Sequence, residues 1–481
     1  MKKYSEIVLN FLKAEGVDYA DIRITENNSE YISVVNGALS SFNQDSSRGY
    51  GIRVLYKGAS GFSSYNVFTE KEILKCAKEA LEIAKASLIT QKNPIVLAKE
   101  DSYIESWVAP FKIDPFKVPI DEKLELLFSI NEGLKKDKIK NRESSLRFEK
   151  KHTYFFSTEG SEIEQTRIIS GAGYSVTAVG DGDVQTRSYP ASFGGQYKQM
   201  GYELIDSLNL LENVEKTRDE AIALLTADEC PVGKMDIILH PNQMMLQIHE
   251  SVGHASELDR VLGWEANFAG TSFLTTEKYK TFKYGSDIVN LVADTTLPNG
   301  IATLAYDDDG VKAQKWYIVK DGILNGYMTN RETASVIKED GSKGANRSSS
   351  WYHLPITRIT NLSLMPGDSS FKEMVESIKD GIYMETNKSW SIDQQRLNFQ
   401  FGCEIAYEIK DGELTGKIFK NPTYQGITPE FWASCDMIAN KSEWDIWGVM
   451  NCGKGQPMQS IEMSHGSSFT KFKNIQVGTS K

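Results

Sequence analysis

The sequence is 481 residues long, with 54 Lys and Arg against 65 Asp and Glu, which gives a formal net charge of −11. Hydrophobic residues make up 40% and charged residues 25%, a composition typical of globular proteins rather than disordered or coiled-coil chains. Because a domain usually has about 100–200 residues, we expect two domains. The acidic balance argues against nucleic acid and anionic membranes as partners, and no stretch approaches the roughly 20 apolar residues that span a bilayer.

Cysteine usage and the first residues predict a cytoplasmic protein. The five cysteines are an odd number and are widely spaced, which disfavours a disulfide framework. Glu6 and Asn10 interrupt the apolar run that a secretion signal would need. We therefore expect a cytoplasmic location with reduced thiols.

The first third of the chain predicts helices packed on a sheet. Apolar residues within 4–12 recur at helical spacing and Gly16 is a natural stop, so we expect the chain to open with a helix. Residues 19–67 form short β-type runs separated by Asn, Gly and Ser, which predicts antiparallel strands. Thr69 is a candidate cap for a second helix, and a third helix is predicted over 121–134.

The elements that follow continue this mixture. Residues 146–198 alternate between apolar and polar side chains and predict further strands. One charged amphipathic helix is predicted over 203–227. After it, 235–239 reads as a buried strand and 244–248 as a helix, and most of the remainder is strands punctuated by Gly and Asn.

These elements predict an α+β fold with two domains. We expect an N-terminal domain of helices and antiparallel sheet over residues 1–228. A C-terminal domain rich in antiparallel β-structure is expected over residues 229–481. No period of 20–50 residues repeats, which disfavours a solenoid or a propeller.

The strongest chemical signal follows the helix at 244–248. Two of the six histidines, His249 and His254, stand five residues apart, and Glu250 directly follows the first. Zinc binds neutral imidazoles, and a catalytic zinc site uses three protein ligands with an open position for water. In such a site Glu250 would be the base that takes the water's proton. We therefore expect the C-terminal domain to carry the metal site.

The spacing of these histidines is one residue longer than the His-Glu-x-x-His of zinc peptidases. On a regular α-helix the fifth residue lies about 140° around the axis, too far for one small ion. Gly253 is a poor helix residue, so an i→i+5 bulge or the end of the helix is predicted there. The alternative is a pair of surface histidines at a polar helix end with no metal.

Cys452 is the candidate third ligand. It lies in a Gly-rich loop without the apolar surroundings that Cys76 has in its helix. Close backbone approach is possible at the glycines, and Lys454 or a metal would favour the thiolate. A rival interpretation makes Cys452 a nucleophile with His254 or His465 as its partner, which leaves the histidine spacing unexplained.

The sequence resembles the TldD/PmbA family of zinc-dependent peptidases nearly end to end. Its central and terminal motifs are specific, whereas the N-terminal ones are mainly scaffold. The matching stretches are Tyr19 to Arg23, Gly49 to Leu55, Lys57 to Phe62, His249 to Asp259, Asp307 to Gly310, Asn330 to Ala334, Ile359 to Asn361 and Cys452 to Gln456.

This resemblance implies both a site and an activity. It implies that zinc is held by His249, His254 and Cys452, with Glu250 as general base. The expected reaction is metal-dependent hydrolysis of peptides or of unfolded segments of small proteins. Members form homodimers or heterodimers with a PmbA-like subunit. PmbA-like subunits lack the His-Glu motif and do not catalyse, so the motif favours the catalytic kind.

Two alternatives remain open from the sequence. The chain could be a non-catalytic peptide-binding or assembly subunit, although a closed structural zinc site has four protein ligands and only three are evident. Glu257 and Asp259 could orient an imidazole by accepting its hydrogen bond. The other interpretation is that these two acidic residues lie on a solvated face.

Overall fold

A computed structural model describes residues 1–480. Its α-helices are α1 (Lys2–Ala14), α2 (Glu70–Ser87), α3 (Ile120–Gly133), α4 (Glu203–Ser207), α5 (Val214–Leu224), α6 (Pro241–Ile248), α7 (Leu258–Val261), α8 (Arg331–Val336), α9 (Phe371–Glu376) and α10 (Thr428–Ala433). Its strands are β1 (Tyr19–Val35), β2 (Ala38–Tyr56), β3 (Ala59–Tyr65), β4 (Ile104–Val108), β5 (Ile139–Ser157), β6 (Glu162–Gly180), β7 (Asp183–Tyr189), β8 (Gln196–Lys198), β9 (Asp228–Glu229), β10 (Gly233–Leu239), β11 (Leu291–Asp294), β12 (Lys315–Lys320), β13 (Ile323–Leu324), β14 (Asn346–Arg347), β15 (Ile356–Thr357), β16 (Leu362–Leu364), β17 (Asp380–Ile392), β18 (Asn398–Lys410), β19 (Glu413–Lys420), β20 (Pro422–Ile427), β21 (Cys435–Ile438), β22 (Asp445–Lys454), β23 (Gln459–Ser467) and β24 (Thr470–Thr479). Within these residues no helix is both long and apolar enough to cross a membrane.

Strands β1 to β8 form one sheet. The order is β3-β2-β1-β5-β6-β4, and β7 and β8 also pair with β6. Only β4 runs parallel to its neighbour among these described pairings. The antiparallel strands predicted over 19–67 and 146–198 are therefore confirmed.

The two faces of this sheet have different partners. Side chains alternate along β1, so Ile22, Ile24, Ile32 and Val34 share one face. Helices α1 and α2 pack over the first pair, and α3 and α5 pack over the second. Arg23 points to the opposite face, where it is buried against the second half of the chain.

The segment at 203–227 is not the single helix that its periodicity predicts. Helix α4 ends at Ser207, and α5 begins only at Val214. Ser207 Oγ donates to the carbonyl of Leu204 at 2.7 Å, and Asn209 takes a left-handed conformation with φ 50°. Ser and Asn favour such turns because their short polar side chains compete with the helical hydrogen bonds.

A second large sheet organises the rest of the chain. Its order is β17-β10-β24-β20-β18-β19-β9, with β21 paired to β24, and most of its pairings are antiparallel. The predicted α+β fold, with a C-terminal half rich in antiparallel β-structure, is confirmed. The first sheet ends at Lys198 and the second begins at Asp228, and we keep residues 1–228 and 229–481 as the proposed domains.

Charged side chains fill the contact between the two halves. Arg53 lies 2.7 Å from Asp309, and Arg167 lies 2.9 Å from Glu462. Burial alone would raise the pKa of Glu462, but the cations Arg167, Lys151 and Arg347 offset it and hold that pKa at about 2. Glu462 is therefore ionised throughout the physiological pH range.

The low pKa of Glu462 predicts that part of the protein's stability is lost in acid. The pKa of a Glu in the unfolded chain is about 4.3. Because the pKa of Glu462 is lower in the folded protein, its ionisation adds up to about 3 kcal/mol to the free energy of unfolding above that pH. This contribution is lost as the pH falls towards about 2. We expect the melting temperature of Glu462→Gln to fall less steeply than that of wild type between about pH 5 and pH 3, by scanning calorimetry. Glu132→Gln, which alters an exposed pair with Lys135, should keep the wild-type slope. Equal slopes for Glu462→Gln and wild type would contradict the prediction.

Candidate metal centre

Helix α6 delivers the two histidines of the motif. It begins at Pro241 behind His240, whose Nδ1 accepts the Asn242 N–H at 3.0 Å. Directly after Ile248 the backbone forms a π-helical turn over His249–Gly253. Because a π turn bonds residue i to residue i+5, the predicted bulge is confirmed.

The π turn brings the two imidazoles together. The ring centroids of His249 and His254 lie 4.8 Å apart. A side chain at Gly253 would meet Ile359, since a Cβ built there lies 2.7 Å from the Ile359 Cδ1 atom. Glycine therefore allows the turn to pack closely on the segment at Ile359. Both histidines are buried, so the surface-histidine alternative is wrong.

Cys452 lies close to both histidines although it is about 200 residues away from them in the sequence. One possible ligand atom from each of His249, His254 and Cys452 lies within 4.8 Å of the others. Cys452 lies near the end of β22, opposite Ile461 of β23, and its carbonyl accepts a hydrogen bond from Arg358. Two imidazole nitrogens and one thiolate are a donor set that suits zinc. These three residues could hold the ion.

A third histidine fixes the orientation of His249. The Nδ1 of His465 lies 3.0 Å from the carbonyl oxygen of Leu362, which can only accept, so this nitrogen carries a proton. In neutral His465, Nε2 is then the acceptor, and it lies 2.8 Å from His249 Nδ1. His249 Nδ1 is thus the donor, which leaves the lone pair of its Nε2 available to a metal.

Glu257 orients His254 in the same way. Its Oε2 lies 2.9 Å from His254 Nδ1, while His254 Nε2 faces Cys452 Sγ at 3.4 Å. The suggestion that Glu257 orients an imidazole is confirmed for this contact. Asp259 does not share that role, because it accepts from Lys454 Nζ at 2.7 Å. Both acidic residues are buried, and neither lies on a solvated face.

Electrostatics favour the ligand forms of these side chains. Burial lowers the pKa of both His249 and His254, which keeps the imidazoles neutral. Burial would raise the pKa of Cys452, but the contact with His254 and the positive charge of Arg358 offset it and leave that pKa below its ordinary value. Lys454 points instead at Asp259 and Glu257, so its predicted help to the thiolate is wrong.

Glu250 does not belong to the ligand cluster, although its negative charge acts on His249. Its Oε2 accepts a hydrogen bond from Arg396 Nη1 at 2.9 Å. Because Glu250 directly follows His249 and its charge acts on that imidazole, its carboxylate could take a proton near the cluster. Of the two partners in the rival interpretation of Cys452 as a nucleophile, His465 contacts His249 instead, whereas His254 Nε2 does lie 3.4 Å from Cys452 Sγ. That interpretation still gives His249 no role.

Sequence reasoning missed three contributors to this site. His465 appeared there only as a possible partner of Cys452, while Arg358 and Arg396 were not singled out. The scarcity of histidine was a usable signal for His465. Nothing local marks the two arginines, because their contacts are with residues 94 and 146 positions away.

Comparison with known families matches almost the whole chain. The family model described as PmbA/TldA metallopeptidase domain 1 matches residues 20–84. The central-domain model matches 113–226, and the C-terminal-domain model, which contains the cluster, matches 232–479.

Individual relatives agree with these matches. A metalloprotease of Methanocaldococcus jannaschii is 32% identical over 95% of this chain and 98% of its own length. A protein of Saccharolobus solfataricus named a zinc metalloprotease TldD homolog is 24% identical over 99% of this chain and 98% of its own. The crystal structure of TldE from Thermococcus kodakarensis has the same fold, with a TM-score of 0.75, 16% identity, and coverage of 99% of this chain and 100% of that one.

Proposed function

This chain belongs to the PmbA/TldD metallopeptidase family, and we propose that it is a zinc-dependent peptidase acting on peptides or unfolded segments of small proteins. The observation that carries the proposal is the convergence of possible ligand atoms of His249, His254 and Cys452 within 4.8 Å of one another. Three protein ligands leave a position open for water, as catalytic zinc sites do.

The proposed roles follow from these positions. When bound, zinc supplies Lewis acidity to the scissile carbonyl and to a water molecule. Glu250 takes the proton of the attacking water and then gives it to the leaving amine. His465 and Glu257 hold His249 and His254 in the tautomers that expose their Nε2 atoms.

A cavity beside the loop that joins β22 to β23 supports a peptide substrate. It has a volume of about 400 Å³ and is lined in part by Gly455 and by the aromatic residues Trp264, Phe268 and Tyr352. All three aromatic residues are about half exposed. Exposed apolar surface in a cavity is typical of binding sites, and here it would accept the apolar side chains of an unfolded peptide.

Metal analysis of the purified protein tests the proposal. We expect about one zinc per chain in protein prepared without chelator, and loss of that zinc in Cys452→Ser, because the site then lacks its thiolate. Cys76→Ser is the matched control, since Cys76 is buried in α2 and its sulfur already contacts the Ser63 hydroxyl. Wild-type protein that takes up no zinc would reject the peptidase and favour the non-catalytic subunit.

Zinc affinity also tests the role of Glu257. Glu257→Gln removes the charged acceptor of His254, and removing such an outer partner typically costs about 10–100-fold in metal affinity. We expect a loss of that size in competition with a chromophoric chelator. Glu215→Gln, on the exposed face of α5, should bind zinc as wild type does. Equal affinities for all three proteins would show that Glu257 does not support the metal.

Location and assembly are part of the same proposal. We place the protein in the cytoplasm, supported by five cysteines that are all free thiols. We expect it to form a homodimer, or a heterodimer with a PmbA-like subunit, as the family resemblance implies. Light scattering coupled to size exclusion distinguishes these from a monomer.

A further inference from the structure

Arg396 is a cation at the candidate metal centre that none of the roles above employs. Its Nη1 lies 2.9 Å from Glu250 Oε2, and the two side chains are only 15% and 9% exposed. The positive charge of Arg260 and the negative charges of Glu257 and Cys452 also act on its guanidinium. Arg396 therefore lies among the reacting groups rather than at a remote surface.

The loop that presents Arg396 is held on both sides. It joins β17 to β18, and the Asp393 carboxylate accepts the N–H groups of Leu397 and Asn398 at 2.9 and 3.0 Å. The carbonyl of Gln394 accepts the Thr271 N–H at 2.9 Å. Arg396 itself has a left-handed backbone with φ 64°, a conformation that a non-glycine residue keeps only where its surroundings impose it.

The guanidinium has more donors than its partners use. Arginine carries five N–H groups, and the contact with Glu250 is made through Nη1. Among the described residues the buried Nε of Arg396 has no partner. Buried donors are normally paired, so this N–H is suited to an acceptor that arrives with the substrate.

We propose that Arg396 binds the oxyanion that forms on the scissile carbonyl of a peptide substrate. This inference rests on the proposed peptidase function. The bond to Glu250 keeps the guanidinium beside the carboxylate that activates water, and therefore beside the carbonyl under attack. Fixed donors aimed at developing negative charge are commonly a large contribution to catalysis.

The proposed hydrolysis needs only the peptide, one water molecule, Glu250 as proton carrier and Arg396 as hydrogen-bond donor. The water oxygen adds to the carbonyl carbon, its proton passes to Glu250, and the π electrons move to the carbonyl oxygen, which accepts N–H bonds from Arg396. That oxygen then re-forms the double bond, the C–N bond breaks, and the amine nitrogen takes the proton from Glu250. Arg396 keeps all its protons throughout.

The test compares Arg396→Gln and Arg396→Lys with Arg218→Gln. Arg218 is a matched control because its side chain is 13% exposed and pairs with Asp219 in α5. Four quantities are measured on the full chain: zinc per chain, kcat, KM, and the affinity for a phosphinic analogue of a cleaved peptide. The phosphinate mimics the anionic tetrahedral intermediate. Each substrate is tested with a free and with an amidated C-terminus.

We expect Arg396→Gln to keep its zinc and to lose about 10²–10³-fold in kcat on both forms of the substrate. Phosphinate affinity should fall by a similar factor, with KM nearly unchanged, and Arg396→Lys should recover part of the loss.

Unchanged kcat and phosphinate affinity would overturn the proposal. A loss confined to KM and to free C-termini would overturn it by making Arg396 an anchor for the substrate carboxylate. Loss of zinc would overturn it by making the role structural. If wild type neither cleaves peptides nor binds the phosphinate, the peptidase function itself fails.

Discussion

Replacing Glu250 by Gln is expected to abolish peptide hydrolysis and to leave the zinc content unchanged. The amide has nearly the same shape and can still accept the hydrogen bond from Arg396 Nη1, but it cannot take a proton from water. A positioned general base contributes about 10²–10⁴-fold to rate, and we expect a loss of at least that size in kcat/KM. Peptide cleavage followed by mass spectrometry, beside elemental analysis of the same samples, measures both quantities.

Glu149→Gln provides the control for this experiment. Glu149 also pairs with an arginine, Arg147 at 2.6 Å, but it lies in the N-terminal sheet. The Glu149→Gln protein should cleave peptides at the wild-type rate. A Glu250→Gln protein that cleaves as fast as wild type would remove Glu250 from the mechanism, and one that loses zinc would show that this carboxylate helps to build the site instead.

Replacing Arg187 by Met is expected to destabilise the protein by about 3–5 kcal/mol, the cost of breaking a buried ion pair. Arg187 of β7 contacts Glu220 of α5 at 3.0 Å, Glu404 of β18 at 3.0 Å, and Glu385 of β17. Burial would raise the pKa of Glu385, but Arg187 is the main charge that holds it at about 2. Without the guanidinium, three carboxylates remain close together and largely buried.

Because Arg187 connects the two large sheets, its replacement should change how the two halves of the protein unfold relative to each other. It belongs to the first sheet, whereas Glu385 and Glu404 belong to the second, so the substitution weakens the connection between them. Scanning calorimetry should show a lower first transition and a wider separation between the melting of the two halves. Arg147→Met, which alters a pair that is 41% exposed at the arginine, should cost less than about 1 kcal/mol. An Arg187→Met protein with the wild-type melting profile would contradict the prediction.

Structural features that depend only on residues close together in the sequence could be predicted from it. Helix α1 follows from its apolar spacing, and the π turn follows from the interval between His249 and His254 together with Gly253. Each of these is decided within one or two turns of backbone. The break at Asn209 shows the limit of this reasoning, because a polar side chain there ended a helix that the periodicity extended.

Features that depend on strand register could not be predicted. His465 and Cys452 lie on the paired strands β23 and β22, and their relative placement depends on a register shift between Val449 and Cys452. A slip of one residue turns every side chain of a strand to the other face. Arg396 reaches Glu250 through the β17–β18 hairpin, which has its own irregularity between Asn387 and Ser389. Such bulges leave no reliable signal in one sequence.

The position of β24 has a consequence for the order of events during synthesis. Although it comes last among the described strands, it lies inside the second sheet, between β10 and β20. A ribosome makes β10, His249 and His254 long before it makes Cys452 and β24, and contacts so distant in sequence form late. The nascent chain therefore cannot bring the three candidate ligands together until Cys452 has been translated. While it is being synthesised, a chain built in this way would therefore lack the assembled cluster of His249, His254 and Cys452.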